Sequence, residues 1–162
     1  MYRAMPEYFG NQKIRFRVPW TMPGELVLEP AVTNFAFPPA TFQLTTDKPF
    51  EIWDILPRAS QSVAAVPFIP IAEPAPGINK FWRLRIRALS INEEITNGAQ
   101  LVDSMVDRDT GNWALMSPFT IERAQGFVIA VDNLIAAGGN RLRAEITLRG
   151  YLLVVPPASA PR

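Results

Sequence analysis

Sixteen prolines and nine glycines are scattered through 162 residues and divide the chain into short pieces. Each proline removes a backbone donor and fixes φ, so long helices have little room and interior strands must fit between the breaks. Within those intervals the apolar pattern has period two. Over 141–155, Leu142, Ala144, Ile146, Leu148, Leu152 and Val154 alternate with Arg143, Glu145, Thr147, Arg149 and Tyr151, which turns one face to a core and the other to water. Gly150 falls on the apolar register, where a strand glycine predicts a bend or a close neighbour. Over 80–91, Trp82, Leu84, Ile86 and Ala88 alternate with Arg83, Arg85 and Arg87. The same design recurs where Lys13, Arg15 and Arg17 alternate with Ile14, Phe16 and Val18, and Pro19 is expected to end that strand.

Shorter strands are expected at 26–29, 40–46, 50–56, 113–116 and 126–131, for a total of about eight. Thr46-Asp47-Lys48-Pro49 and the run from Asp107 to Asn112 read as turns. A short helix is expected over 96–106 or 117–124. The segment 66–78 carries four prolines and is expected to be an extended arm or a long connection. Residues 1–12 and 156–162 read as an amino-terminal arm and a carboxy-terminal tail. The fold expectation is therefore an all-β single domain over 1–162, an antiparallel β-sandwich with Pro-rich arms.

A chain of this length can bury roughly two thirds of the surface it exposes when unfolded. Hydrophobic residues make up 48% and charged ones 19%, more apolar and less charged than an average soluble monomer. Part of that apolar surface is expected to meet neighbouring chains. A net charge of +1 supplies no long-range field toward nucleic acid or an anionic membrane. The amino terminus carries no apolar stretch of the secretory type, and synthesis in a cytoplasm is expected.

The chain contains no histidine and no cysteine. The commonest general base, the usual triads, thiolate chemistry and the commonest metal ligands are thereby missing, and the expectation is no catalytic residue, no metal and no cofactor. Only Lys13, Lys48 and Lys80 could serve a Ser-Lys pair, and none lies in a serine motif. Glu51 with Asp54, or Glu93 with Glu94, could be nominated as a glycosidase pair; a sheet face or edge accounts for them more simply. Asp107-x-Asp109-x-Gly111 resembles the start of a calcium loop, but Asn112 and Pro118 stand where an EF-hand needs glycine and glutamate. Gly138-Gly139 is followed by Asn140 and a strand, which reads as a turn and not as a phosphate loop.

Nine basic residues, Lys13, Arg15, Arg17, Arg83, Arg85, Arg87, Arg141, Arg143 and Arg149, lie on the polar faces of the three alternating segments. If those strands shared a sheet, its outer face would be a basic patch, either solvated and self-paired, or docked on an acidic protein, or, least in keeping with the charge balance, on nucleic acid. Trp20, Trp53, Trp82 and Trp113 are core residues by default, with stacking platforms for sugar rings as the alternative.

Lys48-Pro49-Phe50-Glu51-Ile52, the run from Gln125 to Val131, and Leu148-Arg149-Gly150-Tyr151-Leu152-Leu153 give the chain a pattern that resembles the jelly-roll structural proteins of tailed bacteriophage virions, the capsid decoration (cement) and minor capsid proteins. The resemblance implies a non-catalytic protein that binds a capsid lattice, with the major capsid protein or another virion protein as partner, often as a trimer. It implies assembly into the virion in the host cytoplasm, with no small-molecule substrate and no membrane partner. The contact residues expected on this reading are Tyr2, Tyr8, Phe9, Phe68, Ile69, Ile71, Ile78, Pro156 and Pro157. The alternatives are a carbohydrate- or receptor-binding β-sandwich module, which requires exposed tryptophans along a groove, a cupin-like hydrolase or lyase, and a bacterial structural or secretion component.

Overall fold

The computed structural model describes residues 8–9, 12–14, 16–38, 41–44, 46–62, 78–88, 93–107, 109–122 and 127–154. It is an all-β sandwich of two antiparallel sheets. Two short strands, β1 (Tyr8–Phe9) and β2 (Gln12–Lys13), form a small hairpin of their own. The larger sheet has the order β3-β11-β5-β9, built from β3 (Phe16–Leu28), β5 (Phe50–Ser62), β9 (Trp113–Ile121) and β11 (Arg141–Val154). The smaller has β4 (Phe35–Ala36), β10 (Phe127–Asn133) and β6 (Trp82–Ala88) in that order. Both β7 (Glu93–Glu94) and β8 (Gln100–Leu101) pair with the far edge of β6, as two pieces of one interrupted strand. Between those pieces the Thr96 hydroxyl accepts a hydrogen bond from the Ile86 amide at 3.1 Å and replaces a lost ladder bond.

The pairing is nested. β3 pairs with β11, β4 with β10, β5 with β9, and β6 with β7 and β8. Two further pairings, β11 with β5 and β10 with β6, join these partners into sheets.

Period-two alternation accounts for the core. Leu142, Ala144, Ile146 and Leu148 of β11 pack with Ile52, Ile55 and Ala59 of β5 against Trp82, Leu84, Ile86, Ile129 and Val131 of the other sheet. Buried Asn133 ties the sheets together at one end. Its side-chain amide donates to the Glu29 carbonyl at 2.9 Å, and its carbonyl accepts from the Ile135 amide at 3.0 Å. A buried amide satisfied on both sides avoids the desolvation cost of an unpaired one.

Several sequence expectations are corrected. Pro19 does not end a strand: β3 continues through Pro19 and Pro23 to Leu28 and absorbs the strand expected at 26–29. The physical reason is its place at a sheet edge, where a position whose N–H points away from β11 loses nothing by being proline. Pro19 and Pro23 lie four residues apart and so share that orientation. Lys80 belongs not to a strand but to a 3-10 turn, Ile78–Phe81. No strand forms over 40–46 among its described residues, where a turn places Phe42 in the core. The helix expected over 117–124 is instead the second half of β9, which crosses Pro118, while the 96–106 alternative contains a single-turn helix, α1 (Val102–Met105).

Candidate binding surface

Three features converge at the end of the larger sheet where β3 begins. The first is a bulge. β5 and β11 pair in register up to Arg149 opposite Asp54, after which the register shifts so that Gly150 lies opposite Ile52 and Trp53 is the extra residue. The two backbones approach so closely there that a Cβ on Gly150 would stand 1.9 Å from the Glu51 carbonyl oxygen. The bend or close neighbour expected at Gly150 is both. Extra residues of this kind re-aim side chains at sheet margins, and here the re-aimed side chain is Trp53.

The second feature is the polar network beneath that bulge. Glu51 is 1% exposed. It accepts a hydrogen bond from the Trp53 indole N–H at 2.7 Å and a contact from the Arg17 guanidinium at 3.5 Å. A buried carboxylate requires such partners, and in return it fixes the indole's orientation. Arg149 donates through Nε to Asp54 across the strands.

Above these groups lies an open groove of about 660 Å³. Its walls are Pro19, Trp20 and Thr21 of β3, Trp53 and Asp54 of β5, and Arg149, Gly150 and Tyr151 of β11. Of the four tryptophans, Trp82 is buried and Trp113 packs at the margin of the core, as the default expectation holds, while Trp20 and Trp53 line this groove.

The third feature is apolar exposure along the edge. Met22, Leu26 and Leu28 of β3 are buried. Phe16, Val18 and Trp20 continue the same alternation opposite Val154, Leu152 and Gly150, yet they are 58%, 43% and 40% exposed. Scattered exposed apolar residues are normal, but a row of large ones on one strand marks a contact surface.

The arginine ladders do not form one basic face. Arg83, Arg85 and Arg87 lie on β6 in the smaller sheet, and Arg141, Arg143 and Arg149 on β11 in the larger. Arg141 pairs with Glu29 at 2.7 Å and Arg143 with Glu25 at 2.7 Å, while Arg149 pairs with Asp54. Glu25 raises the Arg143 guanidinium above its usual value. Arg85 pairs with Glu94, and that hydrogen bond, outweighing desolvation, holds the Glu94 carboxyl below its usual range. The carboxylates nominated for glycoside chemistry are thus engaged by cations or by indole, apart from Glu93, whose side chain is outside the description. The Asp107 turn forms as read: its carboxylate accepts from the Thr110 and Asp109 amides, which lower its pKa.

Of the expected contact residues, Tyr8 and Phe9 form β1, and Ile78 opens the 3-10 turn. Tyr2, Phe68, Ile69, Ile71, Pro156 and Pro157 lie outside the described residues, as do most of the arms that carry them. Phe16 and Val18 are not among the expected contact residues, while Trp20 and Trp53 of the groove are among the candidate stacking platforms. The alternation of Phe16 and Val18 was visible, but it carries the same signal as a core face. Comparison of the chain with protein families, curated proteins and solved structures gives no match.

Proposed function

We propose that this chain is a non-catalytic virion structural protein that binds and stabilises a capsid lattice, in a decoration, cement or minor capsid role, and acts as a small closed homo-oligomer. A trimer is the form the phage resemblance implies, and the major capsid protein or a neighbouring virion protein is the partner. The observation that carries the reading is the exposed row Phe16, Val18 and Trp20 on β3. Burying such a row in a subunit contact gains about 25 cal/mol for each Å² removed from water. Pro19 and Pro23 interrupt the donors on the free edge of β3, which disfavours strand addition and favours contact through side chains.

The jelly-roll assignment is part of this proposal. Counting β7 and β8 as one strand, the chain from β3 to β11 pairs first with last, second with seventh, third with sixth and fourth with fifth. Rolling up one long antiparallel hairpin yields this nesting, and the jelly roll is the architecture of viral capsid domains, lectins and cupins. Fold analogy sets only a starting expectation, because function resides in the site. Among those classes a cupin metal site draws on histidine, which this chain lacks.

Co-sedimentation tests the reading. The purified chain, mixed with empty capsids assembled from the major capsid protein of the same genome, is expected to bind saturably, with loss of binding in the Phe16→Ser/Val18→Ser double variant. Failure of the wild-type chain to bind contradicts the capsid role, and equal binding by the variant contradicts the part given to the β3 row.

A further inference from the structure

Apart from Trp20, which also ends the exposed β3 row, the groove at the bulge has a chemistry that subunit packing does not use. Its outer-face walls are the two rings of Trp53 and Tyr151, separated by the Asp54–Arg149 pair and closed at the β3 edge by Pro19 and Thr21. Trp53 cannot turn freely, because its indole N–H is held by buried Glu51 at 2.7 Å. Arg149 uses Nε on Asp54 and is 40% exposed, with no other partner among the described residues. The Tyr151 hydroxyl likewise has no hydrogen-bond partner among the described residues and is not among their buried unsatisfied atoms, so it keeps access to solvent.

We infer that this groove binds a neutral, pyranose-containing oligosaccharide. A sugar ring presents a C–H face that packs on an aromatic ring and hydroxyls that both donate and accept. Trp53 and Tyr151 supply rings, Asp54 an acceptor, and the Arg149 guanidinium and Tyr151 hydroxyl supply donors. The fixed indole lowers the ordering cost of binding. A volume of about 660 Å³ falls within the range of small-ligand sites and accommodates a short oligosaccharide. The charge balance selects against the other ligands that stack on aromatic rings. Asp54 neutralises Arg149, so no uncompensated cation awaits a phosphate, as a nucleic-acid groove requires. The inference does not depend on oligomerisation, and its test does not read it.

Saturation-transfer NMR on the full chain, with cellotetraose, maltotetraose, chitotetraose and mannotetraose as separate probes, tests the site. Transfer to the ring protons of at least one probe is expected. Its affinity is expected to fall about tenfold or more, about 1.4 kcal/mol, in Tyr151→Ala and in the conservative, more exposed Arg149→Gln, both checked for wild-type melting. If Tyr151→Ala melts early, Arg149→Gln alone carries the comparison. No transfer to any probe overturns the inference, and so does transfer that persists unchanged in the folded variants.

Discussion

β3 turns Met22, Leu26 and Leu28 into the core, whereas Phe16, Val18 and Trp20, on the same alternation, are exposed. The neighbouring strand differs in parallel. β11 buries Leu142, Ala144, Ile146 and Leu148 in continuous register with β5, then shifts register at Gly150 before Leu152 and Leu153 are buried again. One end of the large sheet is therefore covered by its own chain and laced outside by Arg141–Glu29 and Arg143–Glu25. The other carries a bulge, a buried carboxylate, an aromatic groove and an exposed apolar row. The contrast teaches that identical patterning supports two roles, and that the cover supplied by the opposite sheet decides which one a residue plays.

Mutations at the two ends can break that contrast, beginning with the largest effect. Gly150→Ala forces a Cβ into the Glu51 carbonyl, backbone against backbone, with no flexible side chain to give way. A loss of more than about 4 kcal/mol is expected, enough to prevent cooperative folding, read by thermal melting; a melt near wild type removes the bulge from the account. At the sealed end Ile146→Ala should cost about 3 kcal/mol, because a fully buried site leaves a cavity, and urea titration measures it.

Glu51→Ala strips the Trp53 indole of its acceptor and Arg17 of a contact. The expected loss is about 2 kcal/mol, together with a change in tryptophan emission as the Trp53 ring is released. Stability lost with unchanged emission would assign Glu51 to the fold and not to the groove.

The smallest effect is acid sensitivity away from both ends. The Asp107 carboxyl titrates below its ordinary value of 3.8 because two backbone amides and a hydroxyl bond it. The Glu94 carboxyl lies below its ordinary value of 4.5 through Arg85. Both folded values are depressed, so these groups contribute above the ordinary carboxylate range and the contribution is lost as pH falls through the folded values. Amide exchange below about pH 4 is therefore expected to rise in the Asp107 turn and at β7 before the sealed end responds; simultaneous opening contradicts that order.

The sealed end was the legible one. Alternation in β11 and β6 marked their faces, and Gly150, the one glycine on the apolar register of β11, announced the close approach. The long edge strand was not legible, because Pro19 and Pro23 read as breaks unless the strand is known to be an edge. Nor was the separation of the arginine ladders, since pairings such as Phe16 with Val154 join residues at opposite ends of the chain. The groove was hidden for the same reason: Trp53 becomes a wall only when the bulge opposite Gly150 re-aims it, and no local pattern in β5 encodes that.

The central claim is that the exposed start of β3 is an interface, and the mass of the full chain in solution by light scattering tests it most directly. The account predicts a closed oligomer for the wild type. It predicts a lighter species for Phe16→Ser/Val18→Ser, whose melting stays within about 0.5 kcal/mol of the parent once the subunits are separated by dilution. A strictly monomeric wild type, or an oligomer whose mass the double variant leaves unchanged, would contradict it.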